Sequence, residues 1–240
     1  MSAWEALKPG GFVFDPEGAG FPAGTDSFVL AAFARIKRGQ SVLDLGSGSG
    51  LLGLLLLQRE PTLHVTGIEL RPEAVEKADE TAAKNGLEDW LKTIRGDIAE
   101  ADTLIPAGAF DLCLSNPPYF PAGSGKAAAT GARQLSRGEG KCTPETLSAA
   151  AARALRWGGH FYLVHRPERL ADLICALRVD RLEPKELALV RARPGADPSL
   201  ILIDAVRGGK SGLKLRDLTL KNADGSETDV YRRAYFRSES

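Results

Sequence analysis

The chain has 240 residues, with 31 Lys plus Arg against 31 Asp plus Glu, so its net charge is zero before histidine is counted. That balance argues against a broad, non-specific DNA binder, and three scattered cysteines without C-x-x-C spacing argue against a disulfide framework or a structural zinc site. The N-terminus has no cationic stretch followed by an apolar one, and the longest leucine run is too short for a membrane span. The expectation is a cytoplasmic protein with no membrane and no metal.

Taken in chain order, residues 1–40 read as an N-terminal flap and helix. Phe12-Val13-Phe14 suits a short strand, and a helix is predicted from about Thr25 to Arg38, ended by Gly39. Strands are then predicted near 41–45, 63–69, 91–95, 110–115 and 159–165, with helices near 50–59, 72–85, 143–156 and 167–178. Asn85-Gly86 and Gly158-Gly159 are placed to end two of these helices, and Pro72 and Pro144 to begin two. Alternation of this kind implies an α/β, doubly wound, mostly parallel sheet. Apolar runs at 185–193 and 199–206 are expected to form a C-terminal antiparallel hairpin, completing seven strands. Residues 41–207 then make the main domain. The polar segment 208–240 reads as a C-terminal extension on the same domain, with a tight turn at Asp224-Gly225. Trp4, Trp90 and Trp157 read as packing residues.

Chemistry concentrates at the predicted strand ends. Ser41-Val42-Leu43-Asp44-Leu45 runs into Gly46-Ser47-Gly48-Ser49-Gly50 and then a leucine-rich helix. A glycine-rich turn lets a ligand approach the backbone and the helix N-terminus. Gly48 to Gly53 also reads as G-x-G-x-x-G, which leaves a nicotinamide dinucleotide open as ligand. Asp44 beside that loop would repel a pyrophosphate and suits the cationic groups of S-adenosylmethionine. Glu69 and Asp97 end the next two strands, placed for the ribose hydroxyls and the adenine amine of such a donor.

Asn116-Pro117-Pro118-Tyr119 follows the apolar run 110–115. Proline fixes φ, lacks an N–H and pushes the preceding residue into an extended conformation. The segment therefore offers carbonyl acceptors and few donors, which suits an amine or amide nitrogen as acceptor. Tyr119, with Phe120, would stack on a flat ring at roughly 1–3 kcal/mol per base. A rigid Pro-Pro turn after a strand has the same sequence. The segment from Phe120 to Thr143 carries Lys126, Arg133, Arg137 and Lys141 against Glu139, and reads as a substrate-covering loop or as solvated surface.

Together Asp44 to Gly50, Glu69, Asp97 and Asn116 to Tyr119 resemble class I methyltransferases that act on amino nitrogens. With Phe12-Val13-Phe14, Gly24-Thr25-Asp26-Ser27 and Val164-His165-Arg166-Pro167-Glu168-Arg169-Leu170, the chain resembles the bacterial valine-tRNA adenine-N6 methyltransferase family over roughly Phe12 to Gly209. The resemblance implies a Rossmann-like fold and transfer of a methyl group from S-adenosylmethionine to the N6 amine of an adenine beside the anticodon of a valine tRNA. It implies a donor site of Thr25, Asp26, Asp44, Gly46, Ser47, Gly48, Gly50, Glu69, Leu70, Asp97, Ile98 and Asn116. It implies catalysis by Asn116, Pro117, Pro118 and Tyr119, and tRNA contacts from Tyr119, Phe120, Lys126, Arg133 and Arg166. A glutamine-N5 methyltransferase of the release-factor type shares the central motif, and a donor-binding RNA factor without catalysis is the reading from another class. Thr25 also fits a plain helix cap. The sequence sets no oligomeric state.

Overall fold

The computed structural model describes residues 4–17, 24–118 and 142–237. Tyr119, Phe120, Lys126 and Arg133, and the other charged residues of the 120–141 segment, lie outside them. Two short strands, β1 (Glu5–Ala6) and β2 (Val13–Phe14), pair antiparallel ahead of helix α1 (Thr25–Phe33). The chain then alternates as expected: β3 (Ser41–Leu45), α2 (Leu51–Arg59), β4 (His64–Glu69), α3 (Pro72–Lys84), β5 (Leu91–Arg95), α4 (Ala101–Leu104), β6 (Phe110–Ser115), α5 (Pro144–Ala154), β7 (Leu155–His165) and α6 (Leu170–Val179). The hairpin β8 (Leu182–Arg191) and β9 (Leu200–Arg207) follows, then β10 (Lys214–Thr219) and α7 (Asp229–Ala234).

The sheet order is β10-β8-β9-β7-β6-β3-β4-β5. Strands β7, β6, β3, β4 and β5 run parallel, and β9 is antiparallel to both β7 and β8. All seven expected strands form, and the polar tail adds β10 as an eighth at the edge, parallel to β8. Chain order reverses between β3 and β6, where successive crossovers diverge and leave a crevice beyond the strand ends.

Side chains alternate between the faces. Val42, Leu114, Tyr162 and Val164 pack under α1 and α2, whereas Leu43, Leu45, Cys113, Phe161 and Leu163 pack under α5 and α6. Asp44 shares the α1/α2 face with Val42. Gly53 in α2 lets that helix lie close on the sheet, since a Cβ there would meet Leu91 at 2.7 Å and Val65 at 2.9 Å.

Three local expectations differ from the structure. Helix α1 stops at Phe33, not near Arg38: Ala34 is buried and extended, and the following Arg35 pairs with the buried carboxylate of Glu186 on β8. Helix α5 ends at Ala154, and Gly158-Gly159 lies inside β7 as a bulge facing Phe110–Leu112. Gly158 has φ +81°, and a Cβ on Gly159 would sit 2.9 Å from the Arg156 carbonyl, so these glycines serve the bulge rather than a helix end. Trp157 is 65% exposed, its ring lying over Gly208, so it is no core residue.

The C-terminal segment closes back on the N-terminal one. Asp224-Gly225 forms the expected turn, with Gly225 at φ +85° and Asn222 N–H donating to the Ser226 carbonyl. Beyond it, the Tyr235 ring stacks on Phe28 of α1 at 4.4 Å and on Tyr231 at 4.3 Å. Stacked pairs of this kind contribute about 0.5–1.5 kcal/mol each beyond burial.

Candidate active site at the switch in strand order

The loop after β3 is tied to the end of β4. The backbone N–H groups of Gly46 and Ser47 both donate to the Ile68 carbonyl, at 2.9 and 3.1 Å. Gly46, Gly48 and Gly50 adopt φ +78°, +54° and +79°, a left-handed region that costs other L-residues roughly 1–2 kcal/mol. A Cβ on Gly48 would meet nothing within 4 Å, so the loop faces open space there. Gly67 of β4 makes room below: a Cβ on it would lie 2.4 Å from Ser47 Oγ.

Three carboxylates line successive strand ends. Asp44 is 2% exposed, and its Oδ2 has no hydrogen-bond partner. Burial, reinforced by the charge of Glu69, raises its pKa from 3.8 to about 7. Glu69 accepts from the backbone N–H of Gly48 through one oxygen and of Arg71 through the other, both at 2.9 Å. Asp97 caps the turn Ile98–Glu100, accepting from the Ala99 N–H at 2.9 Å. Leu70 is partly exposed and Ile98 half-buried beside them. Ser47 Oγ is the second buried polar atom of the loop without a partner.

Asn116 leaves the end of β6, with Pro117 buried and Pro118 exposed after it. Its Nδ2 donates to Ser27 Oγ of α1 at 2.9 Å. Ser115 Oγ donates to the Leu45 carbonyl at 2.7 Å, tying the β6 end to the donor loop. Thr25, expected in the donor site or as a cap, accepts from the Tyr235 hydroxyl at 3.0 Å. Gly24 is the residue at the cap position, and no side chain caps α1 there. Asp26, next to Thr25, is half-buried in the first turn of α1. Arg166 is exposed after β7, its guanidinium donating to the Ser199 carbonyl at 3.1 Å. The adjacent His165 is buried; burial lowers its pKa, and its Nδ1 accepts from the Arg166 N–H.

The described residues thus bring Asp44, the glycine loop, Glu69, Asp97 and Asn116 to one sheet edge. Ser27, Ser115 and Tyr235 were not assigned roles from sequence. Ser27 stands out in sequence only as the last residue of Gly24-Thr25-Asp26-Ser27, and no local pattern marks a tyrosine 210 positions from its partner. Among the described residues, no group of three or more His, Cys, Asp or Glu could hold a metal ion, and no helix is long and apolar enough to cross a membrane.

The orphaned carboxylate oxygen of Asp44, the orphaned hydroxyl of Ser47 and the left-handed glycines fit a ligand with cationic groups and hydrogen-bonding edges, as S-adenosylmethionine has. Comparisons with known proteins agree. The model of the methyltransferase small domain matches residues 22–172. A tRNA1(Val) (adenine(37)-N6)-methyltransferase of Porphyromonas gingivalis is 35% identical, over 80% of this chain and 76% of its own length. One from Aeromonas hydrophila is 32% identical, over 92% and 91%. A solved structure named a predicted O-methyltransferase, from Agrobacterium tumefaciens, superposes with TM-score 0.73 at 22% identity, covering 90% of this chain and 98% of its own. A geranyl diphosphate methyltransferase solved with S-adenosylmethionine gives TM-score 0.55 at 16% identity, over 82% and 96%. The chain belongs to the methyltransferase small domain family and, within it, to the family of tRNA1(Val) (adenine(37)-N6)-methyltransferases.

Proposed function

We propose that this chain methylates the N6 amine of an adenine in tRNA, the adenine next to the anticodon of a valine tRNA, with S-adenosylmethionine as donor. The observation that carries the reading is the meeting, at the ends of neighbouring strands β3 and β6, of a buried carboxylate with one unpartnered oxygen and the Asn116-Pro117-Pro118 segment. When bound, S-adenosylmethionine supplies an electrophilic methyl group on a sulfonium. Asp44 attracts the donor's cationic portion, Glu69 accepts from the ribose hydroxyls and Asp97 from the adenine amine. Gly46, Ser47, Gly48 and Gly50 let the donor approach the backbone, flanked by Leu70 and Ile98, with Thr25 and Asp26 above.

The target amine is a poor nucleophile because its lone pair is delocalised into the ring. The Asn116 side-chain oxygen and the Pro117 carbonyl accept its two N–H bonds, which favours a tetrahedral nitrogen with its lone pair aimed at the methyl group. The gain is orientation and local electrostatics. No strong base is required, since the surplus proton leaves after transfer. The base reaches the pocket out of its stack. Tyr119 and Phe120 are assigned to hold its ring, and Lys126, Arg133 and Arg166 to meet phosphates.

The test uses methyl-labelled donor, an unmodified valine-tRNA transcript and nucleoside mass spectrometry. N6-methyladenosine is expected, and Asn116→Ala should lower turnover at least about a hundredfold, with donor affinity in calorimetry nearly unchanged. Label entering a release-factor glutamine and not the tRNA would overturn the reading.

A further inference from the structure

We propose that Ser27 is a positioning residue that sets which end of the Asn116 carboxamide faces the acceptor amine. This rests on the reading of Asn116 as the group that receives that amine. A carboxamide has a donor end and an acceptor end of nearly equal size. Presented the wrong way, it sets N–H against N–H and repels the substrate. Here Nδ2 donates to Ser27 Oγ at 2.9 Å, so the oxygen points away from Ser27. Ser27 is 9% exposed, and Asn116 is itself partly buried, so an idle N–H there carries a desolvation cost.

The partner is rigid for reasons on the same helix. Ser27 sits in the first turn of α1, where no side-chain cap holds the helix N-terminus. Tyr235 braces that turn from the far end of the chain, without capping its N–H groups. Its hydroxyl donates to Thr25 Oγ1 at 3.0 Å, and its ring lies on Phe28 at an interplanar angle of 9°. The C-terminal segment thereby fixes the turn that fixes Asn116.

Steady-state kinetics on valine tRNA, donor calorimetry and thermal melting are measured for the wild type, Ser27→Ala, Ser27→Thr and Asn116→Ala. Ser27→Ala should lower kcat about fivefold to tenfold, the loss of one neutral hydrogen bond. Its donor Kd should stay at wild type, and its melting temperature should fall by only a few degrees, the cost of one idle N–H. Ser27→Thr keeps the hydroxyl and should regain most of the rate. Wild-type kcat in Ser27→Ala overturns the proposal, as does a fall in kcat that comes with equal losses of donor affinity and melting temperature. A stable Ser27→Thr as slow as Ser27→Ala also overturns it. Asn116→Ala working at full rate, or a wild type inactive on this tRNA, refutes the underlying reading and the inference with it. Asn116→Ala silent beside a fully active Ser27→Ala refutes the inference alone.

Discussion

The buried carboxylate of Asp44 makes donor binding depend on pH. Before the donor binds, Asp44 titrates near 7 because burial disfavours its charge, and Glu69 on β4 adds like-charge repulsion. The other titratable neighbour is Cys113 on β6, whose thiol is itself pushed well above its usual range by burial and by Asp44, so it stays neutral. A cation bound against Asp44 holds it ionised, so apparent affinity follows the ionised fraction. For a pKa of about 7 that fraction is about 1% at pH 5 and about one half at pH 7. Donor affinity should therefore rise about fiftyfold from pH 5 to pH 7, and roughly twofold more by pH 8. Calorimetry in buffers of different ionisation enthalpy reads both the affinity and a release of about half a proton per donor at pH 7. Asp44→Asn should remove the pH slope and weaken binding at pH 8 by roughly 1.5–3 kcal/mol, the worth of a charged hydrogen bond.

Stability should move the other way. Folded Asp44 keeps its proton up to about pH 7, whereas the unfolded chain releases it near 3.8. The folded state binds the extra proton between those values, so this contribution to stability falls as pH rises through that window. Above it, the ionised carboxylate costs the fold about 4 kcal/mol. Asp44→Asn should thus melt several degrees above the wild type at pH 8 and close to it at pH 4. Wild-type donor affinity that is flat between pH 5 and 7 refutes the reasoning, and so does an Asp44→Asn chain with the wild-type slope.

Gly67→Ala should cost about 1–3 kcal/mol in urea unfolding and weaken donor binding in calorimetry, because its Cβ would displace Ser47 from below the loop. Arg35→Ala should destabilise the chain by about 2 kcal/mol, since the buried Glu186 and Asp204 would keep Arg216 and His160 as their ion-pair partners among the described residues; denaturant midpoints check this. Tyr235→Phe should lose about 1 kcal/mol in the same assay, from the bond to Thr25.

The parallel sheet and the site on its edge could be read from sequence because their signals are local. A buried strand needs a short apolar run, and a ligand loop needs glycine where φ turns positive; Ser41 to Gly50 carries both in ten consecutive residues. The end of α1 and the bulge in β7 are not local in that sense. Arg35 leaves the helix for Glu186, 151 positions away, and Gly158-Gly159 answers to Asp111 on a neighbouring strand. Glycines after an alanine-rich helix read equally as its cap, and only the strand beside them decides. Strand β10 was missed because Lys214–Thr219 is mostly exposed at an edge, where apolar alternation is not required.

Residue types at the site were legible, but their energetic state was not. Aspartate after a short apolar strand says nothing of whether water reaches it. Here Asp44 Oδ2 and Ser47 Oγ are both buried from water, the latter over Gly67 of β4, and neither atom has a hydrogen-bond partner in exchange. A fold selected for stability alone would fill those positions with apolar side chains, as it does at Val42 and Leu114 on the same face. Their retention beside three left-handed glycines makes sense when a polar, cationic ligand completes them. Asp204 is equally buried and also has an oxygen without a hydrogen-bond partner, but it differs from Asp44 in its charges: His160 lies 2.7 Å from Oδ1 and the Arg35 guanidinium 3.9 Å from Oδ2, a network internal to the fold and remote from the strand ends. Donor binding should therefore raise the melting temperature of the wild type more than that of Asp44→Asn at pH 8, because only the wild type has a buried charge for the ligand to relieve.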